Sequence, residues 1–192
     1  MRVIAGALGG RRLKAPPGTG TRPTSERGRE AVFAMLGEIT HARVLDLFAG
    51  SGALGIEALS RGAASVVFVE RDARGARVLQ QNLDTLEISP AAAQVRRLDA
   101  LDALREAAER QETYDLVFVD PPYGRAHPAA ARPPISAAER WGPSLSAILP
   151  SLLSQGARVV VESDHRAPIE LAVALERTRR YGDTLITIHR RQ

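Results

Sequence analysis

Apolar residues fall along this chain in two alternating patterns. Short unbroken runs, at Arg43–Phe48, Ser65–Glu70, Gln94–Leu98, Leu116–Asp120 and Ala157–Glu162, mostly lack the period-two alternation of a half-exposed strand. Parallel strands covered on both faces have that character. Between them Ala53–Arg61, Ala73–Leu86, Ala100–Arg110 and Ser144–Leu153 space their apolar residues by three and four, the helical interval. Strand alternating with helix predicts a doubly wound α/β sheet. A further helix is predicted over Glu26–Leu36, capped by Thr24 or Ser25, with Ala31, Val32, Met35 and Leu36 as its apolar stripe. Arg177–Tyr181 and Thr184–His189 read as two strands around a Gly182-Asp183 turn. Two segments break the alternation. Arg2–Ile4 and Arg12–Lys14, joined by glycines, predict a small basic hairpin, and the proline- and alanine-rich Gly124–Gly142, with Trp141, predicts a long loop.

Size changes this picture little: 192 residues with 44% apolar and 25% charged side chains suit one globular unit. Residues 1–24 read as a basic extension on that unit, residues 25–192. The absence of cysteine excludes disulfides and thiolate metal sites. No apolar run approaches the ~20 residues of a membrane span. Val3–Gly10 is short and followed at once by Arg11, Arg12 and Lys14, which predicts mature sequence and a cytoplasmic protein. Charge is distributed unevenly within the net +4: residues 1–30 carry +5, residues 176–192 carry +3, and the stretch between carries −4. Basic ends around an acidic middle suit a polyanion on one side. Lys14 is the sole lysine, so arginine abundance partly reflects codon composition and is weak evidence alone.

Candidate chemistry sits at the ends of the predicted strands. Asp46-Leu47-Phe48-Ala49-Gly50-Ser51-Gly52 closes the first strand with a glycine turn, and Gly50 to Gly55 spells GxGxxG. Glycine lets a ligand lie against the backbone, although this string alone is a weak signal. Asp46 inside the apolar strand, Glu70 ending the second and Asp99 after the third strengthen it, because ligands bind at the carboxyl edge of such sheets. Glu70 there can accept from ribose hydroxyls and Asp99 from an adenine amino group. Asp120-Pro121-Pro122-Tyr123 follows the fourth strand on the same edge. Two prolines force a rigid exit, aiming the Asp120 carboxylate and the Pro121 carbonyl at one point. Two acceptors suit the two hydrogens of an exocyclic amine, and Tyr123 offers a face for stacking on a base. His41, His127, His165 and His189 are scattered without metal-ligand spacing and are expected mostly at the surface.

The Asp46–Gly52 turn, Glu70, Asp99 and Asp120–Tyr123 resemble the Rossmann-like S-adenosylmethionine-dependent amino-methyltransferases with an Asn/Asp-Pro-Pro-aromatic motif. Arg2-Val3-Ile4-Ala5-Gly6, Gly10-Arg11-Arg12-Leu13, Arg22-Pro23-Thr24-Ser25-Glu26-Arg27 with Arg29-Glu30 and Phe33, and the closing Tyr181-Gly182-Asp183-Thr184 look like the RsmD family. The resemblance implies a class I methyltransferase fold, a mostly parallel seven-stranded sheet with helices on both faces, plus the N-terminal hairpin. It implies methylation of guanine N2 in 16S ribosomal RNA, on the small subunit or a late assembly intermediate; nothing in the sequence demands a metal or a partner subunit, so a metal-free monomer is expected. The donor site would take in Asp46, Phe48, Gly50, Gly52, Glu70, Arg71 and Asp99. Asp120, Pro121, Pro122 and Tyr123 would hold guanine, and Arg11, Arg12, Lys14, Arg22 and Arg27 would meet RNA. Other readings share parts of the pattern: an adenine-N6 methyltransferase, which usually adds a target-recognition domain, and a protein glutamine methyltransferase, which usually has Asn where Asp120 stands. An NAD-binding protein is a third, opposed by the Asp46 carboxylate and the absence of an evident hydride-transfer residue.

Overall fold

The computed structural model describes residues 1–15, 26–122 and 135–192. Seven strands form one sheet: β1 (Arg43–Asp46), β2 (Ser65–Val69), β3 (Ala93–Arg96), β4 (Tyr114–Val119), β5 (Leu153–Asp164), β6 (Ala174–Tyr181) and β7 (Thr184–Arg190). Their order is β3-β2-β1-β4-β5-β7-β6. The first five are parallel, and β7 lies antiparallel between β5 and β6. The chain winds outward from β1 to β3, then returns to place β4 on the other side of β1. That reversal opens a crevice above the carboxyl ends of β1 and β4.

Five helices cover the sheet: α1 (Glu26–Leu36), α2 (Ala53–Ser60), α3 (Ala73–Thr85), α4 (Ala100–Glu109) and α5 (Ala137–Leu152). One apolar core joins α1, α2 and α3 to the sheet through Phe33, Ile56, Leu79 and Phe118. The other joins α4 and α5 through Leu104, Trp141, Leu145 and Val159. Unbroken apolar strands follow from this double cover, since successive side chains point into different cores. Phe33 packs against Phe118 with ring centroids 5.8 Å apart; each such buried ring contributes about 1.5–3 kcal/mol.

The N-terminal segment folds as a minimal hairpin. Arg2 and Arg12 make a single antiparallel bridge, supported by backbone bonds from Val3 to Arg11, Gly10 to Val3 and Leu13 to Met1. Its Val3 and Leu13 are buried in the α1–α3 core. Glu57 of α2, fully buried, accepts the N–H groups of Ile4 and Ala5 at 2.7 and 3.1 Å and pairs with Arg61. Gly6 has φ of +83°, and a Cβ there would stand 1.8 Å from the Ser60 carbonyl oxygen. Only glycine fits so close to the end of α2.

Several expected boundaries are corrected. The stretch Arg43–Phe48 is strand only to Asp46, because Leu47 and Phe48 already turn toward the glycines. The third strand is Ala93–Arg96, ending short of Leu98, and β4 stops at Val119, before Asp120. Strand β5 begins at Leu153, directly after α5, although Ser154-Gln155-Gly156 looks like a turn. The expected loop through Gly142 lies partly outside the described residues, but from Ala137 onward it is helix α5. Ser136 and Glu139 close a reciprocal capping box there, and the burial of Trp141, Leu145 and Leu149 outweighs the interior Pro143 and Pro150. His189 is not a surface residue: it is buried, with its ring nitrogens on the Val173 carbonyl and the Thr187 hydroxyl.

Candidate active site

The crevice between β1 and β4 gathers the candidate residues from four strand ends. Asp46, the last residue of β1, pairs in register with Phe118, so the following β4 residues rise past it to Asp120. Asp46 is fully enclosed, and its Oδ2 accepts the Gly55 N–H at 3.1 Å. Burial pushes its carboxyl up to about 7. The N–H groups of Gly55 and Phe48 oppose that shift, and the negative charges of Asp120 and Glu70 add to it. Three carboxylates thus share one edge, held apart by backbone rather than by metal geometry. Among the described residues no three His, Cys, Asp or Glu side chains converge as metal ligands.

The three glycines of the turn differ in role. Gly50 has φ of +54°, and a Cβ there would meet nothing within 4 Å, so the backbone is open to a ligand. Gly52, at φ +83°, is instead closed by packing: a Cβ would stand 2.3 Å from Leu79 Cδ1. Gly55 fits α2 against β2, where a Cβ would lie 2.2 Å from the Phe68 ring. The Leu79 contact explains why position 52 takes glycine on its packed side.

Glu70 stands beside the open glycine. One carboxylate oxygen accepts the Gly50 N–H at 2.8 Å and the other the Asp72 N–H at 2.7 Å. Each oxygen keeps a lone pair, as a pair of ribose hydroxyls requires. Asp99 caps α4 by accepting the Leu101 N–H, and Arg71 approaches it at 3.4 Å. Phe48 meets Trp141 edge to face with ring centroids 5.1 Å apart, which fixes the exit of β1 against α5. Asp120 is half-buried, Pro121 buried and Pro122 exposed. Tyr123 lies outside the described residues, as does Arg22.

The basic candidates form a separate group. Arg11, Arg12 and Lys14 are exposed on the N-terminal segment and Arg27 on α1. Arg11 donates to the Thr85 carbonyl, leaving Arg12 and Lys14 as the cleaner solvent-facing cations. Arg29 differs: it is buried and donates to the Arg2 carbonyl at 2.6 Å.

Two contributors escaped the sequence reading. Trp141 was assigned to a loop, though a sole tryptophan downstream of the proline pair was a usable signal. Asn82 is 2% exposed and binds both the N–H and the carbonyl of Lys14, at 2.8 and 3.1 Å, while donating to the Ser51 carbonyl at 2.9 Å. It ties the basic segment to the glycine turn. Its signal was a polar residue between Leu79 and Leu83 on an apolar stripe.

With this geometry established, known proteins sharpen it. A family model described as "Conserved hypothetical protein 95" matches residues 1–190. The chain is 51% identical over 124 residues to "Putative rRNA methyltransferase YlbH" of Bacillus subtilis, covering 64% of this chain and 67% of that protein. It is 44% identical over 124 residues to "Ribosomal RNA small subunit methyltransferase D" of Haemophilus influenzae, covering 64% of each. The Escherichia coli protein of that name is 42% identical over 126 residues, 65% of this chain and 61% of that one. The matched stretch is therefore less than two thirds of the last two. A solved structure, "Putative methyltransferase yhhF from Escherichia coli", superposes with a TM-score of 0.79 at 34% identity, covering 100% of this chain and 98% of that one. A methyltransferase complexed with SAH superposes at 0.68 with 14% identity, covering 86% of this chain and 49% of that one, and so shares the fold. The chain has the class I methyltransferase fold and belongs to the conserved hypothetical protein 95 family, the RsmD family that its terminal and proline-pair motifs resemble.

Proposed function

We propose that this chain methylates 16S ribosomal RNA of the small subunit, moving a methyl group from S-adenosylmethionine to the exocyclic N2 of a guanine. The observation that carries the reading is the carboxylate edge itself: Asp46 buried at the end of β1, Asp120 just past β4 beside it, and Glu70 on the Gly50 N–H, with Asp46 raised to about 7 chiefly by burial. Such an edge gains from a cationic ligand, and the open backbone at Gly50 leaves it room. The names of the Haemophilus influenzae and Escherichia coli relatives support the RNA substrate.

When bound, the donor supplies a methyl group on positively charged sulfur. Glu70 and Asp99 would hold its hydroxyls and adenine, with Phe48 beside them and Arg71 at the rim. Asp120 and the Pro121 carbonyl accept the two N–H hydrogens of the guanine amine, turning its lone pair away from conjugation. Once the methyl carbon has passed from sulfur to the amine nitrogen, the nitrogen would be cationic, and Asp120 or water would take the proton it releases. No strong base is needed beforehand, so rate comes from alignment and oriented acceptors. Tyr123 would stack on the extruded base, offsetting the few kcal/mol of unstacking. The enzyme would act as a cytoplasmic monomer on the subunit or a late assembly intermediate, without metal. No helix among the described residues is long and apolar enough to cross a membrane.

The test is methyl transfer from labelled donor to small subunits lacking the modification, followed by nucleoside mass spectrometry. N2-methylguanosine in 16S RNA is the expected product. Label in N6-methyladenosine, or in protein alone, would reject the assignment.

A further inference from the structure

Strand β6 is one of the two edge strands of the sheet, and all eight of its residues are exposed. Its register with β7 fixes which way each side chain points. Arg177 lies opposite Ile188 and Arg179 opposite Ile186, and both isoleucines are buried in the core that contains α1 and the N-terminal segment. Cross-strand partners share a face, so Arg177, Arg179 and, by alternation, Tyr181 project on the side where that segment packs. Thr178 and Arg180 project on the other.

The same face carries Arg190 and Arg158, which pair with each other across β7 and β5. Arg158 is committed to the Leu36 and Glu38 carbonyls at the end of α1. The acids here are Glu162, opposite Ile186, Asp164, opposite Thr184 and paired with Arg166 at 3.0 Å, and Glu176, 3.8 Å from Arg177; Arg158, Arg177, Arg179 and Arg190 still outnumber them. Direction matters as much as charge. Because β7 reverses the chain and β6 reverses it again, β6 runs parallel to β4. Tyr181 therefore ends at the edge where Asp46 and Asp120 stand. From Arg177 to Tyr181 the stripe spans ~13 Å, and β6 lies three strand spacings from β4, ~14 Å. Tyr181 is 45% exposed, an aromatic ring presented to solvent beside the reacting edge.

We propose that β6 is a second contact for the RNA backbone: Arg177 and Arg179 take phosphates flanking the target nucleotide, and Tyr181 stacks on an unpaired neighbouring base. The proposal rests on the reading of this chain as a ribosomal RNA methyltransferase. It places both basic ends on one side of the sheet, around a single path for the substrate.

The test compares wild type, the Arg177→Ala/Arg179→Ala pair and the Arg177→Lys/Arg179→Lys pair, using unmodified small subunits over a series of salt concentrations. For two phosphate contacts the alanine pair should flatten the slope of log affinity against log salt by roughly 1.4–1.8. KM for the subunit should rise by about tenfold, with donor affinity and turnover at saturating subunit unchanged. The lysine pair should keep most of the slope. Tyr181→Ala should raise KM where Tyr181→Phe does not. An unchanged slope in the alanine pair overturns the proposal, and self-association of that variant would show the arginines to be guards of a bare strand edge instead. Wild type that methylates normally while all variants match it sinks this proposal alone; wild type that transfers no methyl group to the subunit sinks the functional reading as well.

Discussion

Asp46 makes the sharpest demand of any residue in the molecule. Folded, it keeps its proton up to about pH 7, against an ordinary value of 3.8. Between those values the folded state binds the extra proton, so this residue lowers stability as pH rises through that window. Asp46→Asn removes the dependence. Its stability advantage over wild type should grow by about 2–3 kcal/mol between pH 5 and pH 8, read from denaturant unfolding; a constant difference would show an ordinary carboxylate. A cationic donor favours the ionised form, so donor affinity measured by calorimetry should tighten as pH rises from 6 to 7.5, and this trend should vanish in Asp46→Asn. Under the proposed function Asp120 acts on the other reactant. Asp120→Ala should lose ~2–4 kcal/mol of transition-state stabilisation, roughly 30- to 1,000-fold in turnover, with donor affinity changed only a few-fold. Because the Asp120 charge helps hold the Asp46 proton, the same variant should shift the donor pH profile to lower pH. Unchanged turnover would remove Asp120 from the reaction.

Among elements, the joint between α3, the N-terminal segment and the glycine turn is the one most exposed to a single substitution. Asn82→Ala strands Lys14 N–H, Lys14 carbonyl and Ser51 carbonyl together. The expected cost is about 2–4 kcal/mol, a fall in thermal midpoint of roughly 5–15 °C. Asn82→Asp keeps the acceptor for the Lys14 N–H but turns an oxygen toward both carbonyls and buries a charge, so it should be at least as destabilising as alanine; an alanine variant with a midpoint equal to wild type would discount the joint. The buried parallel strands were legible because double cover leaves an unbroken apolar run. The reversal at Gly182-Asp183 was legible from its turn residues, as was α1 from its stripe. The first turns of α5 were not, since Ala137, Ala138 and Pro143 carry little periodic signal and the helix is held by Trp141 meeting Phe48 from a distant strand. The start of β6 was hidden for the opposite reason: Ala174, Leu175 and Glu176 are exposed on a strand edge, so no core writes a pattern into them. At the site, the clustering of Asp46, Glu70 and Asp120 at one sheet edge was readable from their places at strand ends. Those that hold the site together, Asn82 and Trp141, act through tertiary contacts that spacing does not encode.

At the scale of the whole molecule, the basic hairpin combines two roles that a linear charge count merges. Its backbone is bound into the fold through Glu57, Ser60 and Asn82, while Arg12 and Lys14 point to solvent. Arg12→Ala/Lys14→Ala should therefore lower RNA affinity and flatten its salt slope by about one contact per residue. Melting temperature and donor affinity should stay as in wild type. A drop in donor affinity would mean that the side chains, and not only the main chain, support the turn.

The Met1 sulfur lies 3.7 Å from both the Ser51 hydroxyl and an Arg29 nitrogen, so the thioether of this residue braces the glycine turn from behind, and its oxidation to the sulfoxide would disturb that turn. Strand β7 runs the other way and delivers Arg191 to Ala157, at the foot of β5. A fluorophore or immobilising tether carried there would hang from the floor of the sheet, away from the edge where Asp46 and Asp120 stand.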